Sequence, residues 1–236
     1  EKTVSKGGEW FIAEPSKDFH TSFGAVPSKL LQKNGKHAID KNEFCVFDAQ
    51  PIDHYHQLKQ DVQKITLKDL GFISAYVGVH TEMSFAEAGT GSGGATTYFA
   101  PLVKEMFSYD VRADAANKVQ KDLDRLGMGN VTLATGNVTQ PADINCEVDV
   151  FLLDCPEPWN AWLTMKKCVK LGGWVMAYTP NANQLQQVVN TMPAEFQHTH
   201  SCELIERHWR VRGLVCRPET ADFSHTAFLT FFRRVC

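Results

Sequence analysis

The chain has 236 residues, 43% of them hydrophobic, with a formal net charge of −3 and an isoelectric point near 6.3. This is enough to bury one α/β core with a small appendage; apolar runs far short of the ~20 residues of a bilayer span, and a charged start lacking a signal-peptide core, weigh against a membrane or secreted chain and lead us to expect a cytoplasmic one. The acidic balance offers phosphate no global attraction, so a nucleic-acid partner would need a local basic patch.

Residues 1–53 alternate short β-type runs, at 10–13, 36–39 and 43–47, with Gly, Pro, Ser and Asn, which predicts a small β-rich N-terminal domain. Residues 54–236 form the second predicted domain. Apolar positions 58, 62, 65 and 67, then 70, 73 and 77, predict helical segments before a first strand at 83–88. A short helix over 95–100 is expected to stop at Pro101, followed by a strand at 104–110, a helix at 113–126 ended by Gly127, and a strand at 130–134. A continuously apolar strand at 149–154, a helix from Pro158 to Leu171, a strand at 174–178 and a helix capped by Asn181 reaching residue 196 continue the pattern. The βαβα alternation predicts a doubly wound parallel sheet, with residues 203–215 and 226–233 as an antiparallel pair at its edge.

Between the first strand and its helix lies Glu87-Ala88-Gly89-Thr90-Gly91-Ser92-Gly93-Gly94, a turn whose glycines let a ligand approach the backbone at a helix N-terminus. Gly89, Gly91 and Gly94 satisfy the dinucleotide pattern, and Gly89, Gly91 and Gly93 the methyltransferase one, so the loop by itself leaves the cofactor open. The residues at strand ends are Glu87, Asp110, Asn137, Asp154 and Tyr178. Asp110 follows the loop by the spacing of a ribose-binding carboxylate, which either cofactor would use. Glu87, two residues before the first glycine, would repel a pyrophosphate and favour the cationic groups of S-adenosylmethionine. Asp154 closes an apolar strand and is followed by Cys155-Pro156-Glu157-Pro158-Trp159. A carboxylate, stiffening prolines and an aromatic are what methylation of a base nitrogen needs, the acid bonding the base edge and the ring stacking on it. Trp159 taken singly reads better as core. Seven scattered cysteines without C-x-x-C spacing predict reduced thiols, and His54 and His56, taken as sharing one side of a strand, lack a third ligand, so no metal site is expected.

Together these residues resemble the tRNA (adenine-N1)-methyltransferases that modify an adenosine of the T-loop. The matching pieces are 87–93, Leu153-Asp154 with Glu157-Pro158-Trp159, Ala177-Tyr178-Thr179-Pro180-Asn181 and His225-Thr226-Ala227-Phe228-Leu229, with Lys68-Asp69 and His20-Thr21 with Gly24 also similar. The resemblance runs from about residue 20 to 234. It implies a Rossmann-like, seven-stranded S-adenosylmethionine-dependent methyltransferase fold with a small N-terminal β-rich domain, usually a homotetramer holding tRNA across subunits. It further implies Asp154 as catalytic acid and Tyr178 lining the target pocket. Glu87 and Gly89, Thr90, Gly91, Ser92 and Gly93 would hold the methionine end of the cofactor, with Asp110 on its ribose and Asn137 on its adenine. Where the family reads Ile-Tyr-Pro-Lys-Asp, this chain reads Ile65-Thr66-Leu67-Lys68-Asp69, and Pro101 stands where the family helix usually continues.

Adenine N1 carries its own lone pair, so on this reading catalysis is alignment plus stabilisation of the cation that develops on the base, Asp154 accepting a hydrogen bond from the 6-amino group. For the tRNA, Arg210 and Arg212 share a strand face in an arginine-rich tail, and Trp159 is the stacking candidate. The competing readings are a methyltransferase on protein isoaspartate or a small molecule, which leaves residues 154–159 unexplained, and a non-catalytic tRNA-binding subunit, which would not need the glycines or Asp154. A dehydrogenase is disfavoured by Glu87.

Overall fold

The computed structural model describes residues 1–6, 9–58, 63–220 and 225–236. It divides into two compact units, Glu1–Lys59 and Gln60–Cys236. In the first, β1 (Lys2–Lys6), β2 (Glu9–Ala13), β5 (Gly35–Ile39) and β6 (Asn42–Asp48) form an antiparallel sheet in the order β2-β1-β6-β5, while β3 (Phe19–Thr21) and β4 (Gly24–Val26) make a separate ribbon and α1 (Ser28–Leu31) a single turn. The runs at 10–13, 36–39 and 43–47 lie in β2, β5 and β6. β1 escapes a period-two search because Thr3 and Val4, adjacent in sequence, are both fully buried. Helix α2 (Pro51–Gln57) opens with proline in its first turn and a reciprocal cap in which Asp53 accepts from the Gln50 N–H at 2.9 Å. His54 and His56 therefore stand on a helix, not a strand, and His54 is buried while His56 is exposed.

In the second unit the helix expected to run through residues 58–67 does not form across 63–66, which have no regular secondary structure, with Ile65 buried; the position at 62 lies outside the described residues. Helix α3 (Leu67–Val77) follows, closed by Gly78 at φ 70°. Then come β7 (Ser84–Ala88), α4 (Gly94–Phe99), β8 (Glu105–Asp110), α5 (Ala113–Leu126), β9 (Val131–Thr135) and β10 (Val148–Leu153). Pro101 does not simply end α4: it sits in a 3-10 turn, Ala100–Leu102, where a missing N–H costs nothing. The long helix expected from 158 to 171 is a 3-10 turn, Pro158–Asn160, and a shorter α6 (Trp162–Cys168). Residues 169–171 belong instead to β11 (Val169–Thr179). The pairing explains this, because Val148 opposes Val169 but Val150 opposes Trp174, so Lys170 to Gly173 bulge out of one continuous strand.

Helix α7 (Ala182–Asn190) is capped by Asn181, whose Oδ1 accepts from the Gln184 N–H at 3.0 Å, and it ends before Pro193 rather than at 196. Phe196 instead starts β12 (Phe196–Glu203). The edge pair is thus β12 with β15 (Phe228–Arg234), not residues 203–215 with 226–233, and the intervening β13 (Trp209–Arg212) and β14 (Val215–Pro218) form their own hairpin. Among the described residues the main sheet has seven strands in the order β12-β15-β11-β10-β7-β8-β9, parallel except for β15. The core on one face gathers Phe151, Leu153, Met165, Val175, Ala177 and Phe232. Every parallel strand ends at the same edge, which is where the glycine loop opens.

Candidate active site

The loop after β7 is held by main-chain bonds: Gly89 N–H to Tyr109 O at 2.8 Å and Gly93 N–H to Thr90 O at 2.8 Å. Gly89 has φ 106°, and a Cβ there would sit 1.9 Å from the carbonyl oxygen of Asp154, so only glycine lets the loop cross the end of β10. The third left-handed position is Gly93, at φ 78° and against Val119, whereas Gly94 is already helical. The backbone thereby follows the 89, 91, 93 spacing. Beside the loop is a cavity of about 610 Å³ whose walls include Gly89, Thr90, Gly91, Ser92, Asp110, Asn137 and Asp154, with Lys64 and Arg112 as its cations.

Glu87 does not reach that wall. All five residues of β7 are buried, and the carboxylate turns beneath the loop, where it accepts hydrogen bonds from Thr96 and, at 2.7 Å, from Ser108, which also bonds Thr90 at 2.7 Å. Burial pushes the Glu87 carboxyl up to about 7, the two hydroxyls only partly opposing it. Sequence reasoning missed Thr96 and Ser108 because nothing in their spacing marks them as partners of a buried acid. A carboxyl raised from 4.5 to about 7 holds its proton more tightly folded than unfolded, so its stabilising contribution is complete below 4.5 and lost as pH rises through 7. Thermal melts of the ligand-free protein should therefore show Tm falling from pH 5 to 8, with a smaller fall in Glu87→Gln; equal slopes in the two proteins would contradict this account.

Asp110 ends β8 with its Oδ2 accepting from Gly91 N–H at 3.0 Å and its Oδ1 from Arg112 N–H at 2.9 Å. Burial raises this carboxyl, but the Arg112 and Gly91 bonds outweigh that, so it stays below the usual range and carries its charge at neutral pH. Asn137, beyond β9, uses Oδ1 for Thr139, at 3.0 Å from the N–H and 2.9 Å from the hydroxyl, and its amide NH₂ is not part of those bonds.

Asp154 follows Leu153, and its N–H donates to Ala88 O at 2.9 Å, tying β10 to β7 at the mouth of the cavity. Burial pushes its carboxyl up to about 7 and the neighbouring Cys155 thiol up to about 12. The next turn holds Glu157 at φ 55°, a left-handed conformation unusual for a residue with a side chain. Trp159 is half-buried against the core and does not line the cavity. Tyr178 does not line it either: its hydroxyl donates to Asp69 Oδ2 at 2.9 Å, and burial followed by the Asp69 charge raises the phenol. Asp69 had no place among the sequence-derived site residues; a single acid in a helix's first turn reads as a cap.

Arg210 and Arg212 stand far along the chain on β13, where residues 209–217 are all exposed. Arg210 forms a two-pronged pair with Glu219 at 2.9 Å and 2.9 Å. The opposite face of that hairpin carries Trp209 and Val211, 56% and 72% exposed.

Counted from β9, the sheet takes its strands in the order third, second, first, fourth, fifth, seventh, sixth, with the seventh antiparallel, and the glycine loop follows the first. That order and loop define the Rossmann-like S-adenosylmethionine-dependent methyltransferase fold. Solved structures agree: an S-adenosylmethionine-dependent O-methyltransferase from Thermotoga maritima is similar with TM-score 0.85 and 23% identity over 100% of this chain and 92% of its own. The tRNA (m1A58) methyltransferase TrmI of Aquifex aeolicus is similar with TM-score 0.82 and 20% identity over 100% and 96%. The chain belongs to the family described as "tRNA methyltransferase complex GCD14 subunit", which matches residues 46–217. In sequence it is 28% identical over 260 residues to the tRNA (adenine(57)-N(1)/adenine(58)-N(1))-methyltransferase TrmI of Methanocaldococcus jannaschii, covering 97% of this chain and 92% of that protein. No helix among the described residues is long and apolar enough to cross a membrane.

Proposed function

We propose that this chain transfers a methyl group from S-adenosylmethionine to N1 of an adenosine in the T-loop of tRNA. The observation that carries the proposal is Asp154: a half-buried carboxylate at the mouth of a glycine-loop cavity, pushed up to about 7 by desolvation, in a chain similar to TrmI over nearly its whole length. The cavity fits the cofactor by the chemistry of its walls. An ionised Asp110 with lone pairs left over suits a ribose diol, the Asn137 amide suits an adenine edge, and the loop leaves no side chain at Gly89 and Gly91. When bound, S-adenosylmethionine supplies an electrophilic methyl group. Glu87 acts from below, bracing Thr96 and Ser108 so that the loop keeps its shape, rather than by contact.

Adenine N1 needs no deprotonation before it attacks. Asp154, accepting from the 6-amino group, aligns the base and offsets the positive charge that develops on it. Because N1 lies on the pairing edge, the adenosine reaches Asp154 unpaired or flipped out. Trp159, packed against the core, would act by stiffening the loop that carries Asp154. Arg212, and Arg210 when released from Glu219, would meet tRNA phosphates. We further propose that residues 1–53 are a separate domain, that the protein acts in the cytoplasm, and that it forms a homotetramer in which the exposed Trp209 and Val211 face is covered by another copy, since an isolated two-stranded hairpin is marginal in water. Incubating the protein with labelled S-adenosylmethionine and unmodified tRNA, followed by nucleoside analysis, is the test. N1-methyladenosine is the expected product; label in another nucleoside, or none, would refute the proposal.

A further inference from the structure

Asp69 is fully buried, yet four side chains from three parts of the chain converge on it. Its Oδ2 accepts from Thr66 Oγ1 at 2.9 Å, Thr226 Oγ1 at 2.7 Å and the Tyr178 hydroxyl at 2.9 Å, and its Oδ1 accepts from Lys68 Nζ at 2.7 Å. Lys68 also donates to Thr226 Oγ1 at 2.7 Å, so the Thr226 proton is committed to Asp69. An acid at the third position of a helix commonly turns back to cap its own N-terminus. This one instead gathers hydroxyls from the end of β11 and from the approach to β15.

The consequence falls on Tyr178. Leu153 and Ala177 are register partners, so Asp154 and Tyr178 are the next residues of neighbouring parallel strands and stand side by side at the strand ends. With Lys68 donating to Oδ1 and three hydroxyls donating to Oδ2, Asp69 serves as acceptor throughout, so the phenol gives its one proton to Asp69 and keeps only lone pairs for any other partner. We infer that Asp69 is a positioning residue that fixes Tyr178 as a hydrogen-bond acceptor beside Asp154, so that the two oxygens together select a base edge bearing an exocyclic amino group. This rests on the adenosine reading above. Two acceptors match the two N–H bonds of an adenine 6-amino group and oppose the 6-oxygen of hypoxanthine, which leaves a buried acceptor facing acceptors. In Asp69→Asn the amide can donate to the phenol oxygen, which frees the phenol proton to point at the site and reverses its polarity.

The test uses the full chain with tRNA and S-adenosylmethionine, comparing Asp69→Asn, Tyr178→Phe and their combination. Because Asp69→Asn strands the Lys68 charge, Lys68→Met with Asp69→Asn serves as the variant that keeps the cluster neutral. The expected result, per S-adenosylmethionine-binding site, is a fall in kcat of about tenfold or more in Asp69→Asn with cofactor Kd unchanged. The double variant with Tyr178→Phe should be no slower than Tyr178→Phe, as for residues acting as one unit. Losses that multiply, or wild-type kcat in the neutral double variant, would overturn the inference. A second readout needs no substrate: in protein labelled at tyrosine 13Cζ, the Tyr178 signal, identified by its loss in Tyr178→Phe, should ionise at lower pH in Asp69→Asn. An unchanged titration overturns the inference even if tRNA is methylated, whereas a shifted titration without tRNA methylation would sustain the bond and refute the adenosine reading.

Discussion

Asp154→Ala is expected to keep S-adenosylmethionine bound and to lower methylation about 10²–10⁴-fold, the span of one positioned acid–base or charge-stabilising group. Removing the side chain leaves the loop and Asp110 in place, because the contact of Asp154 with the loop is through its backbone: its N–H on Ala88 O, and its carbonyl under Gly89. Asp154→Asn goes further, since the amide keeps the volume but replaces one acceptor with a donor facing the 6-amino group. It should be as slow as alanine or slower. The pH dependence supplies an independent check. With the carboxyl near 7 in the free protein and active only as carboxylate, kcat/KM for S-adenosylmethionine should rise with pH through about 7. A bound sulfonium favours the ionised form, so the rise in kcat should lie at lower pH. Isothermal titration for binding and single-turnover methylation for rate separate the two effects; near-normal turnover in Asp154→Ala would remove Asp154 from the chemistry.

Much of this site was legible in the sequence because its parts are local. The loop reads from three glycines in five residues, and Asp110 and Asp154 from their places at the ends of apolar runs, since a strand end in a parallel sheet faces the ligand edge. What was not legible depends on long-range packing. Glu87 has the spacing of a ligand-contacting acid, but a strand buried along its whole length turns that side chain under the loop, onto Thr96 and Ser108. Asp69 and Tyr178 are 109 residues apart, and no pattern in either segment foretells their bond. The same holds for the fold. Amphipathic spacing and Gly127 agree on the ends of α5, so the sequence predicts them residue for residue, whereas the residues after α6 look helical in sequence because the bulge that places Val169 in β11 is a property of its pairing with β10. Phe196 looks like a helix end in sequence for a related reason: its burial comes from β15 and the core, not from its neighbours in sequence.

Gly89 is where the loop and the acid meet, and Gly89→Ala is the substitution expected to damage both. At φ 106° the backbone lies outside even the left-handed helical region open to Asn and Asp, at a cost of about 1–3 kcal/mol for any residue with a side chain. The added methyl would lie 1.9 Å from the Asp154 carbonyl oxygen and 2.9 Å from its carbonyl carbon, a main-chain obstacle that cannot rotate away. Either the loop lifts, breaking the Gly89 to Tyr109 bond, or the end of β10 shifts and carries the Asp154 carboxylate with it. Gly91→Ala isolates the torsional part, because at φ 53° its Cβ meets nothing closer than Gly89 O at 3.9 Å, and a lone alanine there costs about 1–2 kcal/mol. Denaturant unfolding of the ligand-free proteins should thus find Gly89→Ala destabilised by several kcal/mol, about 3 or more, and Gly91→Ala by about 1. The Gly89 variant should also lose S-adenosylmethionine binding by more than about 100-fold, since a displacement of the order of an ångström at a positioned site has effects of that size. Equal stability losses in the two variants would mean that the close approach of loop to strand does not govern this site.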